Sequence, residues 1–207
     1  YGTPFTEGEL RSPMFKEKLE KLGVTQCRVD ADDNAYGVIP GAKSPKVLLE
    51  AHLDTVFPKD TPLQVVEKDG KLCCPGISDD TSCLAIVLSV IRAINHAGLK
   101  PVYSLLVGGS SGEEGEGDLR GAKALLRDNP DIVAYLPMEP GAPGLITKGA
   151  VGSKRYEFAF SGPGGHSFSA FGTPSASHAM ARAAARFADF KPPARPKTTF
   201  TVGVVEG

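Results

Sequence analysis

Six residues of metal-ligand type, His52, Asp54, Asp79, Glu113, Glu114 and Glu139, each fall at or just beyond the end of an apolar, strand-like run. Lys46 to Ala51 (KVLLEA) runs straight into His52-Leu53-Asp54, and residues two apart on a strand project to the same face. Asp54 is therefore placed to orient His52. A histidine that binds a metal through one ring nitrogen usually donates its other N–H to a carboxylate or carbonyl, which fixes the tautomer. Gly76 to Asp80 (GISDD) leads into an apolar helical run, so Asp79 sits in a strand-to-helix turn, where a carboxylate can bridge two metal ions. Asp79-Asp80 also reads more simply as an N-cap pair for that helix. Glu113-Glu114 follows the strand end at Val107-Gly108-Gly109. One of these adjacent carboxylates can ligate a metal while the other moves a proton between an activated water and a leaving amine. Amide hydrolysis is the chemistry such a set performs. Each motif alone has a plainer reading, as a satisfied His-Asp pair or a solvated acidic loop. Together, several strand ends offering such residues point to a site beyond the carboxyl ends of an α/β sheet.

The elements that must position these residues follow from periodicity. Thr6 with Glu9 fits a capping box and Ser12-Pro13 an N-cap followed by a first-turn proline, so the opening helix has two candidate starts. Phe15, Leu19 and Leu22 form its apolar face, and Gly23 is its stop. Residues 24–40 read as an extended pair around Asp32-Asp33-Asn34. Residues 82–97 read as a helix apolar nearly all round and well buried. Residues 102–107 and 132–138 read as short buried strands separated by a helix over 119–127. The alternation predicts an α/β fold: a mixed, mostly parallel sheet with helices on both faces. Residues 140–152 (PGAPGLITKGAVG) are dense in Gly and Pro and read as a connection. A unit over 1–150 and a second over 151–207 are expected. The second should hold a strand over 154–160, an Ala-rich helix over 174–190 and a strand over 198–205, the first half of a small α+β domain.

Composition excludes several roles. The chain has 207 residues, 41% hydrophobic and 23% charged, so it can bury a core. A formal net charge of -1 without a basic stripe argues against nucleic acid or an anionic membrane as partner. The longest apolar stretch, Leu84 to Ile94, is broken by Ser89 and Arg92 and is too short to span a bilayer. Cys27, Cys73, Cys74 and Cys83 show no CxxC spacing and read as reduced, buried thiols. A cytoplasmic location is expected, with export left open because the chain starts without Met.

HLDTVFP (52–58), PGISDDTSC (75–83), SGEEGEGDLRG (111–121), MEP (138–140) and SGPGGHSF (161–168) together resemble the co-catalytic zinc exopeptidase and deacylase family. That family includes glutamate carboxypeptidases, succinyl-diaminopimelate desuccinylases, acetylornithine deacetylases, aminoacylases and tripeptidases. The resemblance implies two zinc ions, with cobalt or manganese as substitutes. His52 and Glu139 would hold one ion, Glu114 the other and Asp79 both, with Glu113 as general acid/base and Asp54 behind His52. It implies a cis peptide between Asp79 and Asp80. It also implies a lid and dimerisation domain, hence a homodimer, in which His166 stabilises the oxyanion; from the residues alone His166 reads as an ordinary loop histidine. The implied substrate is a small peptide or an N-acyl amino acid. Family members take a final histidine ligand from a later segment, so the chain reads as truncated. The alternative is a catalytically incomplete metal-binding or dimerisation fragment without turnover.

Overall fold

The computed structural model describes residues 6–206, so the outermost ends of the two expected units, 1–5 and 207, lie outside the described residues. The chain forms two compact units that meet at Ile146 and Thr147.

The first unit is built on a five-stranded sheet. Its strands are β1 (Thr25–Val29), β2 (Ala35–Ile39), β3 (Lys43–His52), β6 (Tyr103–Ser110) and β7 (Ile132–Pro137), in the order β1-β2-β6-β3-β7. The β1–β2 and β2–β6 pairs are antiparallel, while β6–β3 and β3–β7 are parallel. Only β2 opposes the other four strands, so the sheet is mixed as expected. Between β3 and β6 lies a separate hairpin of β4 (Val66–Lys68) and β5 (Lys71–Cys73). Its Asp69-Gly70 turn has both residues at positive φ, the geometry of a two-residue hairpin loop.

Helices cover both faces, because residues alternate sides along each strand. On one face, Phe15 and Leu19 of α1 (Arg11–Lys21) and Cys83, Leu84, Val87 and Ile91 of α2 (Cys83–His96) pack on Leu49, Ala51 and Val107. On the other face, Leu125 of α3 (Arg120–Asp128) packs on Tyr36, Leu48 and Leu106.

The boundaries differ from the sequence reading in informative places. Thr6 stands before only a short 3-10 turn, Glu7–Glu9, and α1 starts at Arg11, so Ser12 lies inside the helix and its hydroxyl donates to the Asp33 carbonyl at 2.6 Å. Gly23, at φ +76, ends the helix as its sequence position suggests. Helix α2 is not buried all round: Ala85, Ile86, Ser89 and Arg92 form an exposed or half-exposed side. Ser89 and Arg92 mark that side in the sequence. Strand β7 is an edge, with Val133 and Leu136 exposed rather than buried.

The second unit contains α4 (Ala176–Ala188), capped by Ser175, whose hydroxyl accepts from the His178 N–H at 3.2 Å. Phe187, Phe190 and Phe200 pack as a ring cluster, with Phe187 and Phe200 edge-on at 5.0 Å. The strands expected over 154–160 and 198–205 are not formed; among the described residues no strand follows β7. Alternation predicts which side chains share a face but supplies no ladder partner, and these segments find none. No helix among the described residues is long and apolar enough to cross a membrane.

Leu48 is fully buried in the middle of β3. Leu48→Ala should cost about 2–5 kcal/mol in urea unfolding; a cost below about 1 kcal/mol would mean that the α3 face is not a packed core.

Candidate metal centre

Parallel pairing brings the carboxyl ends of three strands to one edge. The register sets His52 beside Ser110 and Glu50 beside Pro137. Two further backbone bonds extend the alignment, from Leu53 N–H to Ser110 O at 2.7 Å and from Met138 N–H to Glu50 O at 2.8 Å. The residues after β3, β6 and β7 therefore emerge together, which gathers His52, Glu113-Glu114 and Glu139.

His52, 2% exposed, is the centre of this group. Its Nδ1 lies 3.0 Å from the Asp54 carbonyl oxygen and 3.5 Å from Asp54 Oδ1, while Nε2 faces Asp79 Oδ1 at 2.8 Å. In the neutral ring, oxygens around Nδ1 keep the proton there and leave the Nε2 lone pair on the Asp79 side. His52, Asp79, Asp80 and Glu139 each offer an atom within 4.8 Å of the others, as do His52, Glu113 and Glu114. Asp54 reaches His52 chiefly through its carbonyl. Its buried carboxylate instead accepts from Glu113 N–H at 3.0 Å and Glu114 N–H at 2.8 Å.

Asp79 and Asp80 sit in a widened turn over Ile77–Ser82, where both leave helical geometry and the peptide between them is cis. Asp79 is exposed and Asp80 fully buried. The N-cap reading of this pair does not hold, since α2 begins after Ser82 without a side-chain cap. Asp80 Oδ2 accepts the His52 backbone N–H at 2.9 Å instead, which ties the turn to the end of β3.

The electrostatics are those of crowded acids around one imidazole. Burial pushes the Asp80 carboxyl up to about 6, against the opposing help of Cys83 and His52. Glu139 keeps an exposed side, yet partial desolvation followed by the charge of Asp80 raises it to about 7. Desolvation, then the charges of Asp79 and Glu113, raise Glu114 as well. For His52, burial alone would lower the pKa, but the Asp54 hydrogen bond and the charges of Asp80, Asp54 and Glu139 lift it to about 10. A set of one imidazole nitrogen and several carboxylate oxygens is the donor chemistry of a divalent cation such as zinc, manganese or cobalt.

Sequence reasoning missed Asp80 and Glu50 as parts of this edge. Glu50, 3% exposed, accepts from the Tyr135 hydroxyl, and burial raises its pKa. A carboxylate next to the end of the apolar run KVLLEA was the available signal. His166 belongs to the second unit, where its Nδ1 accepts from Phe168 N–H at 3.2 Å. His96 lines a shallow hollow of about 560 Å³ with Lys21 and Arg92, apart from the acidic cluster.

Comparison with known proteins fits this geometry. Residues 48–203 match the profile of peptidase family M20/M25/M40. The chain belongs to that family. The chain is 30% identical over 153 residues to carboxypeptidase G2 from Pseudomonas sp. (strain RS-16), covering 69% of this chain and 36% of that protein. It is 31% identical over 106 residues to the uncharacterized protein YgeY of Escherichia coli K12, covering 48% and 26%. The fold is shared with a tripeptidase from Staphylococcus aureus, at a TM-score of 0.54 and 24% identity over 68% of this chain and 40% of that one. A TET aminopeptidase from a Thaumarchaeota archaeon aligns at a TM-score of 0.51 and 13% identity, over 70% and 65%. The chain thus spans well under half the length of the curated relatives it matches.

The pKa shifts set a pH dependence for the metal-free protein. Glu139 and Asp80 are raised, so each contributes stability below its unfolded value that is lost as pH climbs through about 7 and about 6. His52 is raised too, so its contribution is lost only as pH climbs toward about 10. A bound cation offsets the acid repulsion that grows through this range. The increase in Tm on adding zinc should therefore be larger at pH 8 than at pH 5, by differential scanning fluorimetry; equal increases would contradict the electrostatic assignment.

Proposed function

We propose that this protein hydrolyses amide bonds in small peptides or N-acyl amino acids, using two divalent metal ions, zinc foremost, held by His52, Asp79, Glu114 and Glu139. The observation that carries this reading is the convergence of one buried imidazole and the carboxylates of Asp79, Glu113, Glu114 and Glu139 at the aligned strand ends. Family membership supports the hydrolase class. The names carboxypeptidase and tripeptidase on two similar proteins support a peptide-type substrate.

In this reading His52 and Glu139 would hold one ion, Glu114 the other, and Asp79 would contribute to both. Bound ions would polarise the scissile carbonyl and lower the pKa of water to about 7. Glu113 accepts the proton of the attacking water and returns it to the leaving amine. It is suited to this because its backbone N–H is pinned to Asp54, so a half-buried carboxylate leaves a fixed point on the chain. Asp54 holds the Nδ1 side of His52 and Asp80 its backbone N–H. The same reading carries His166 as a donor to the oxyanion and residues 151–207 as the surface through which two copies pair. Of the four free cysteines only Cys83 is buried, against the expectation for all four; their free state suits a reducing, cytoplasmic setting.

Glu113→Gln keeps the shape of the side chain and removes its basicity. Turnover of a dipeptide and N-acyl amino acid panel should fall by about 10²–10⁴, while zinc per chain by elemental analysis stays at the unmodified value. Near-normal turnover would remove Glu113 from this role. Zinc binding with no turnover by the unmodified protein would leave only the alternative, a metal-binding protein without hydrolysis. Asp79→Asn should lower bound zinc at both positions, and full retention would end the bridging assignment.

A further inference from the structure

Four consecutive backbone N–H groups, from Ser111 to Glu114, each end on a side-chain oxygen from a distant part of the chain. Ser111 donates to Asn34 Oδ1 at 3.0 Å and Gly112 to Glu7 Oε1 at 2.7 Å. Glu113 and Glu114 donate to the two carboxylate oxygens of Asp54 at 3.0 and 2.8 Å. Successive N–H groups of this kind form an anion-binding concavity, and the protein fills it with two carboxylates of its own and one neutral amide oxygen. Asn34, Glu7 and Asp54 are all fully buried.

Glu7 stands out among the three. It lies on the 3-10 turn before α1, outside the residues 48–203 shared with the family profile. Its other oxygen, Oε2, accepts from Arg120 Nη2 at 2.9 Å, and Arg120 Nη1 also donates to the Asp32 carbonyl. Gly112 is at φ +62, and a Cβ there would come within 2.8 Å of Arg120 Cγ. The guanidinium, the glycine and the Glu7 carboxylate therefore fit together as one packed unit. A buried carboxylate persists where it is paired and hydrogen-bonded, and Glu7 has both kinds of partner.

We propose that Glu7 is a positioning residue for hydrolysis: held by Arg120, it fixes the Gly112 backbone and so sets the direction in which Glu113 and Glu114 leave the turn. Glu7 touches no reacting atom. The inference rests on the hydrolase reading of Glu113, and small misplacement of a catalytic group costs rate more than binding.

Three variants test reach and charge. Glu7→Gln keeps an oxygen at the same reach, Glu7→Asp keeps the charge but is one methylene short, and Glu7→Ala removes both. Glu7→Ala should lower kcat by about 30–100-fold with KM within about threefold, and Glu7→Asp by at least about tenfold. Glu7→Gln removes the charge paired with Arg120 and sets an amide N–H against one of the two donors that Glu7 serves, so it too should lower kcat by at least about tenfold. Hydrogen exchange of the 111–114 amides should accelerate in both Glu7→Asp and Glu7→Gln. Equal kcat per folded molecule in all variants would overturn the proposal. If Glu7→Ala does not fold, the Gln and Asp variants decide. If the unmodified protein shows no turnover, the hydrolase reading has failed, and unchanged 111–114 exchange in Glu7→Asp would separately overturn the hold of Glu7 on the turn.

Discussion

The buried carboxylate of Asp54 is the interaction on which the acidic edge depends. Both its oxygens are used on the backbone of the Glu113-Glu114 turn, while its carbonyl faces His52 Nδ1. One residue at the end of β3 thus fixes the imidazole of its own strand and the two glutamates that follow β6. A buried ionised group without partners would be prohibitive; here two N–H groups, His52 and the nearby Arg11 guanidinium offset the cost. Removing the carboxylate would also leave the two part-buried N–H groups of Glu113 and Glu114 without these acceptors.

That interaction is possible only because β3, β6 and β7 are parallel and in register. An antiparallel neighbour would send its following loop to the opposite edge of the sheet. The apolar layers on both faces, Leu49, Ala51 and Val107 toward α1 and α2, and Leu48 and Leu106 toward α3, hold the register rigidly. A one-residue slip would exchange those faces. The same two layers thus stabilise the fold and aim the site. The N-terminal segment closes the arrangement from the other side: Arg11 donates to Thr81 at 3.1 Å beside Asp80, and Glu7 holds Gly112.

Much of this was legible in the residues. His52, Glu113, Glu114 and Glu139 could be found because strand ends are marked by where apolar runs stop, and that boundary is local. The two-faced α/β layering followed from the same periodicity. Asp80 was misread because its hydrogen bond to His52 crosses 28 residues and depends on how the turn after β5 returns to β3. Glu7 and Asn34 were invisible for the same reason, since their partners lie 105 and 77 residues away. The β4–β5 hairpin was within reach, because Asp69-Gly70 is a strong turn signal that was not used. Residues 154–160 and 198–205 show the converse limit: alternation was read as strand, but strand is a property of a pair.

Anomalous scattering from a zinc-soaked crystal of the protein should show two peaks about 3.5–4 Å apart, one against His52 and Glu139, the other against Glu114, with Asp79 touching both. Peaks elsewhere on the chain, or zinc bound without His52 and Asp79, would contradict this assignment.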